Sequence, residues 1–337
     1  MKTKTFVFVQ PWQAAWTELD VADRPEPHDV LVKAEAAIIN AGTEVAIYTG
    51  THRNSKEPDA AWPRYPYIGG GTVAGVVLAA GEATSGILSG DKVVFSGRYT
   101  RYQTVGAARL LPVPEGVSFA EAAMARHSAI SLNGVRLGAV ALGETTVVLG
   151  LGLIGQYAAQ YARLAGALTV IGVDPIEGRR LIASQCGANV TIGATGADTV
   201  SEVLAATDGL GADVSIEATG SPKVIPTALK CARDFGRVVL LGSPRGNVEI
   251  DPYNDIHRRG IRVIGSNNTS PLPPAPMPYW PWTPQKNEEA ALGFIARGKL
   301  RLAPLISHRL EAEENLEIFD RLARSPSDYL GVVLQWS

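Results

Sequence analysis

The sequence predicts an α/β fold in which a doubly wound parallel sheet is set into a β-rich domain, and three observations predict it. Strand and helix signals alternate from about residue 120 to residue 265, the strands being continuous β-branched runs of the kind buried on both faces. A glycine-rich turn, Gly150-Leu151-Gly152-Leu153-Ile154-Gly155, joins the first of these strands to a helix. Ahead of this stretch, short apolar runs separated by Gly and Pro turns suggest a compact antiparallel barrel or sandwich.

Taken in order, the chain opens on the strand-like run Phe6-Val7-Phe8-Val9. Gln10 and Pro11 end that run too early for the apolar core of a signal peptide. Val30-Leu31-Val32, Thr72 to Val77, Lys92 to Phe95 and Ala108 to Leu111 supply further barrel strands. Residues 121–138 read as helical. Strands follow at 145–149, 168–173, 213–216, 237–241 and 261–264, with helices at 153–164, 177–186 and 222–233. Seven prolines between 271 and 284 exclude a regular element there. Beyond them, 285–297 and 312–324 read as amphipathic helices and 330–336 as a last strand. The domains expected are therefore 1–122 with 272–337, and 123–271.

Composition narrows the partners. The 337 residues are 46% hydrophobic and 19% charged, as in a globular chain long enough for two cores. A formal net charge of −2 provides no basic field for nucleic acid or an anionic membrane, and no run of 18 apolar residues exists. A cytoplasmic protein meeting a small-molecule substrate and a second copy of itself is expected. Two cysteines, Cys186 and Cys231, are too few for a disulfide framework or a structural zinc site.

The glycine turn carries the sharpest functional signal. Gly150 permits the tight turn, Gly152 a close approach to a pyrophosphate, and Gly155 close helix–strand packing. The N–H groups of Leu153 and Ile154, opening the helix, face that phosphate. Asp174, nineteen residues after Gly155, ends the second strand, where a carboxylate accepts the ribose hydroxyls and repels a 2′-phosphate. NAD is therefore expected over NADP, although Arg179 and Arg180 keep NADP open. Later strand ends add Thr219-Gly220, Gly242-Ser243 and Ser266-Asn267 as candidate cofactor contacts, each also readable as plain turn chemistry. Together these features describe a Rossmann dinucleotide-binding domain.

On these and further motifs the chain resembles the medium-chain dehydrogenase/reductase superfamily, the zinc-type alcohol and polyol dehydrogenases. Ala41-Gly42-Thr43-Glu44 is similar to the family's Cys-Gly-Thr-Asp segment, and Gly70-Gly71-Thr72-Val73-Ala74-Gly75-Val76-Val77 to its Gly-His-Glu-x-x-Gly-x-Val. Pro114-Glu115-Gly116-Val117-Ser118 with Glu121-Ala122-Ala123 resembles its approach to the cofactor domain. The resemblance implies a GroES-like β-rich catalytic domain around the Rossmann domain, and a homodimer formed through the edge strand near 261–266. The departures from the family pattern fall on the metal. Ala41, Gly71 with Thr72, and Arg126 stand where the family carries its zinc ligands, and none of them is a suitable donor. A member without zinc is expected.

Proton transfer then falls to side chains. His127, beside Arg126, is the expected acid/base, with Arg126 orienting or polarising the substrate oxygen; a structural hinge is the competing role. Thr43 aligns with the family's proton-relay hydroxyl. Glu44 aligns with the acid beside it and is read as a catalytic base or, more readily, as a buried structural partner of Arg126. Asn40, His52, Trp280 and Trp282 are candidate substrate contacts, the aromatics as a flat wall or as a plug between domains. The functions left in competition are three. They are an NAD-dependent dehydrogenase of a polyhydroxylated or cyclic secondary alcohol, an NADPH-dependent quinone or enone reductase, and a non-catalytic NAD(H)-binding protein.

Overall fold

Alternating burial along the first strand, Lys2–Gln10, turns Phe6 and Phe8 into a core while its other face stays wet. A computed structural model of the chain describes residues 1–56, 60–267, 275–278 and 280–337. Pro271, Pro273, Pro274 and Tyr279 lie outside the described residues. Two compact units are present. One comprises Met1–Ala125, Ile295–Arg297 and Ile306–Ser337; the other comprises Arg126–Phe294 and Gly298–Leu305.

The first unit is β-rich. Its larger sheet runs in the order Ile306–Glu311, Gly331–Gln335, Asp29–Ile38, Gly70–Ala80, Lys92–Arg98 and Leu111–Pro112, with Tyr102–Gly106 also paired to Asp29–Ile38. Lys2–Gln10 forms a smaller sheet with Gln13–Asp20 and the two-residue strand Tyr67–Ile68. Between them lies a core of Phe6, Phe8, Val32, Val73, Phe95, Tyr99, Phe319 and Leu334. The Ala108–Leu111 run forms only a short helical turn and the strand Leu111–Pro112. Ser118 and Glu121 build a reciprocal capping box that starts the helix Phe119–Ala123.

The second unit is a six-stranded parallel sheet in the order Val190–Ile192, Thr169–Val173, Thr145–Leu149, Ala212–Glu217, Ala232–Leu240 and Arg262–Gly265. This 3-2-1-4-5-6 order is that of the Rossmann fold, and it leaves the first and fourth strands adjacent at the switch point. The expected helix over 121–138 is two, Phe119–Ala123 and Ala125–Leu137.

Two expectations change at the C-terminal end. The helix expected over 312–324 is confined to Ile318–Arg324, because strand pairing from Ile306 carries the chain as far as Glu311 and a turn follows. The return to the β-rich domain was expected at 272, yet the helix Pro284–Ala296 stays with the parallel-sheet unit as far as Phe294. Side chains explain it. Trp282 lies 3.5 Å beneath the Arg136 guanidinium, Asn287 bonds both Arg136 and Asn133, and Phe294 meets Tyr161 edge to face at 5.4 Å. Among the described residues no helix is long and apolar enough to cross a membrane.

Candidate active site

At the carboxyl ends of the parallel strands the predicted cofactor residues converge. Gly150 sits at φ +91, a conformation open to glycine, and a Cβ there would meet Thr219 at 2.6 Å. A Cβ on Gly155 would collide with the Gly150 carbonyl oxygen, so the helix Leu153–Ala165 can start this close to the strand only without a side chain. Gly152 has open space around it. Gly220 and Gly242 approach each other so closely that a Cβ on Gly242 would overlap the Gly220 nitrogen, and Ser243 backs Gly220. Ser266 is buried with its hydroxyl unpartnered, whereas Asn267 is exposed.

Asp174 closes the turn from the next strand. Its carboxylate accepts the Leu151 N–H at 2.8 Å and the Ile176 N–H at 2.9 Å, with Arg179 3.8 Å away. Arg180 instead spends its guanidinium on the carbonyls of Asp174 and Pro175. Glu217, which sequence reasoning missed, supports the neighbouring loop. One of its oxygens accepts the N–H groups of Thr219 and Gly220 at 2.7 and 3.1 Å and the Thr219 hydroxyl; the other is buried without a partner. Burial raises its pKa, opposed by those Thr219 and Gly220 hydrogen bonds. The set fits a dinucleotide: a glycine cradle, a helix N-terminus and a carboxylate at the second strand.

His127 and Arg126 open the helix Ala125–Leu137 in this same unit. His127 is 7% exposed, its Nδ1 is buried with no partner, and burial, then the Arg126 charge, pushes its pKa down to about 4. The imidazole is therefore neutral throughout the physiological range, whereas the acid/base role expected of it calls for a group that titrates near neutrality. Arg126 lies 3.9 Å from the Glu288 carboxylate.

The β-rich unit holds the other half of the predicted set. Asn40 precedes the helix Ala41–Tyr48, on whose first turn Thr43 is half-buried and Glu44 is 1% exposed. One Glu44 oxygen accepts the Tyr67 hydroxyl at 3.3 Å and the Gly70 N–H at 3.4 Å, while its second oxygen is buried and unpartnered. Burial raises this carboxyl to about 8, outweighing the Gly70 and Tyr67 hydrogen bonds that favour its charge. His52 accepts the Asn54 N–H at Nδ1 and packs edge to face on Trp62. Of the tryptophans proposed as a wall, Trp282 stacks on Arg136, and Trp280 is half-buried with its indole nitrogen unpartnered.

Around Gly71 the space is already filled. A Cβ there would lie 2.7 Å from the Tyr99 hydroxyl and 2.5 Å from the Ile38 carbonyl. Tyr99 is fully buried, and its hydroxyl accepts the Asn40 N–H at 3.1 Å. Among the described residues no three His, Cys, Asp or Glu side chains are placed to hold a metal.

A Rossmann unit with a glycine cradle and a β-rich unit with a buried polar cluster are the two parts of an NAD(P)-dependent oxidoreductase. The chain belongs to the zinc-type medium-chain dehydrogenase/reductase family. Residues 26–133 match the alcohol dehydrogenase GroES-like domain and residues 154–278 the zinc-binding dehydrogenase domain. It is 30% identical over 318 residues to an L-threonine 3-dehydrogenase of Symbiobacterium thermophilum, covering 86% of this chain and 85% of the relative. A D-guloside 3-dehydrogenase of Escherichia coli K12 is 30% identical over 242 residues, 70% and 68% of the two chains. Among solved structures, a protein assigned as a zinc-binding dehydrogenase of Sinorhizobium meliloti 1021, bound to NADP, superposes with a TM-score of 0.83 at 25% identity, over 99% of both chains.

Proposed function

We propose that this chain is a zinc-independent, NAD-dependent dehydrogenase that interconverts a secondary alcohol and its ketone on a polyhydroxylated or cyclic substrate. The observation that carries the reading is the filled space at Gly71. The Tyr99 hydroxyl lies where a side chain at that position would have to stand, and Ala41, Thr72 and Arg126, at the family's other ligand positions, are not the residue types that bind zinc. The zinc of the family does not fit these residues, so protein groups must serve the substrate oxygen.

The cofactor does fit. Gly150, Gly152 and the first turn at Leu153 and Ile154 would hold its pyrophosphate, Asp174 its adenosine ribose, and Thr219, Gly220, Gly242, Ser243, Ser266 and Asn267 its nicotinamide half. When bound, the nicotinamide supplies the hydride acceptor or donor. The protein's own task is to orient the alcohol, exclude water and move one proton. Relatives named for L-threonine and D-guloside, both hydroxylated, support the substrate class. We also propose a homodimer through the open sheet edge Arg262–Gly265, where Val263 is 43% exposed.

Steady-state rates with NAD and NADPH, across secondary alcohols and conjugated enones, test the proposal. Alcohol oxidation with NAD is expected. Enone turnover with NADPH alone replaces it with a reductase, and tight NADH binding without any turnover replaces it with a sensor. Asp174→Ser removes the charge that repels a 2′-phosphate while Arg179 remains. The ratio of kcat/KM for NADP over NAD then rises by about 10- to 100-fold, each tenfold being about 1.4 kcal/mol. An unchanged ratio would show that Asp174 does not face the ribose.

A further inference from the structure

We propose that the parallel-sheet unit carries a second small-molecule site, remote from the glycine cradle, where an apolar cavity bordered by the Arg136 guanidinium takes a small organic acid with an apolar body. The site stands apart from the dehydrogenase reading, because no residue of the cofactor cradle takes part in it.

A cavity of about 220 Å³ opens between the helices Ala125–Leu137, Leu153–Ala165 and Pro284–Ala296, and every residue that lines it belongs to this unit. Leu132, Val135, Val140, Leu164 and Phe294 give it apolar walls, and Arg136 is the one charged residue among those that line it. The cavity lies at the far end of the helix Leu153–Ala165 from the phosphate turn. From Leu153 to Leu164 that helix rises about 16 Å, so the two places are separate. The rim is apolar and open. Leu164 is 43% exposed, and beyond Ala165 the exposed Leu142 lies against Gly166.

Charge selects the occupant. Arg136 is half-buried, with Trp282 beneath its guanidinium and its Nη1 donating to Asn287. Among the described residues no carboxylate pairs with it; Glu288, next to Asn287, lies by Arg126 instead. Burial works against this cation, and a bound anion would offset that cost. Its Nε and Nη2 have no acceptor and are not sealed from solvent. Those two atoms form one edge of the guanidinium fork, the edge that grips a carboxylate in bidentate fashion. Size selects the rest. An apolar cavity of about 150 Å³ holds benzene, so this one holds a single ring or a chain of about six carbons beside the carboxylate. The apolar walls disfavour a bare, strongly hydrated inorganic anion.

Fluorine NMR on the full-length protein tests the site with two probes, 4-fluorobenzoate and the uncharged 4-fluorobenzyl alcohol. The benzoate is expected to bind, and the alcohol to bind at least about tenfold more weakly. In Arg136→Gln the benzoate is expected to fall to the level of the alcohol. Ala165→Trp sets a ring in the mouth of the cavity from an exposed helix position. That variant is expected to weaken both probes by about tenfold or more, with an unchanged melting temperature. Should Arg136→Gln fail to fold, because Asn287 and Trp282 lose their partner, the neutral probe and Ala165→Trp decide the matter. Equal affinity for acid and alcohol, undiminished binding in Ala165→Trp, or no binding of the benzoate at millimolar concentration overturns the site. An affinity that keeps rising from hexanoate to decanoate would place the acid on the exposed leucine rim, and displacement of the benzoate by NADH would place it in the cofactor cradle; either result also overturns it. Failure of the protein to bind NADH sinks the dehydrogenase reading instead and leaves this site standing.

Discussion

Gly155→Ala is expected to abolish NADH binding and to lower the melting temperature by about 10 °C or more. The reason is geometric. Gly155 is the third residue of the helix Leu153–Ala165, and a Cβ there would occupy the space of the Gly150 carbonyl oxygen, with Val148 Cγ1 at 3.5 Å behind it. The obstruction is backbone and cannot rotate away. Helix and strand must therefore separate, which opens the turn and the core of Val147, Leu149 and Ile171 beneath it. Backbone overlap in a packed core belongs with the largest single-site effects, about 4 kcal/mol or more, and each kcal/mol shifts a domain of this size by about 2–4 °C. Gly152→Ala is the control, because a Cβ there meets nothing within 4 Å. On the proposed cofactor site that variant is expected to keep its melting temperature and lose affinity only, its methyl standing where the pyrophosphate would approach the backbone. Thermal scans with and without NADH separate the two. Equal melting temperatures for the two variants would show that the close packing at Gly155 is not needed.

Raising the pH from about 4.5 to about 8 is expected to destabilise the wild-type chain through Glu44 alone by up to several kcal/mol, and Glu44→Gln removes that slope. The sign follows from the direction of the shift. Burial raises the folded-state carboxyl from 4.5 to about 8. Below the unfolded value both states hold the proton and the contribution is fully present. As pH rises past it the unfolded chain releases the proton first, and stability falls until the folded carboxyl also ionises. Each unit of difference is worth about 1.4 kcal/mol. Glutamine is nearly isosteric with the protonated acid and has no charge to desolvate. Melting curves of the two proteins are therefore expected to converge near pH 4.5 and to separate steadily up to pH 8, the variant being the more stable. Parallel curves would show that Glu44 is already ionised in the folded state.

Much of the cofactor half of the site is legible in the sequence because its requirements are local. A glycine turn between a β-branched strand and a helix, and an acid at the end of the following strand, specify their geometry within thirty residues. The polar half is not local. Nothing near His127 reveals that helix packing buries it beside Arg126 and holds it neutral, and nothing near Glu44 reveals that its partner is Tyr67, twenty-three positions on. One signal for the missed residues does exist. Gly69-Gly70-Gly71 is a stretch without side chains in a strand that faces a core, and such a void must be filled from elsewhere. Tyr99 and the Glu44 carboxylate fill it. Glu217 gave no signal, because a carboxylate that caps the loop two residues after it resembles any strand-ending acid. The aromatic cluster was ambiguous for the opposite reason. Trp282 suits a ligand wall as well as it suits the Arg136 guanidinium it stacks on, and only packing distinguishes them.

The central claim is that protein groups, without a catalytic metal ion, handle the oxygen of the alcohol. Elemental analysis of the purified protein, combined with turnover measured before and after exhaustive chelation, tests it most directly. The account predicts far less than one zinc per chain and a rate that chelation leaves unchanged. One zinc per chain, with activity lost on chelation and restored by adding zinc back, would contradict it.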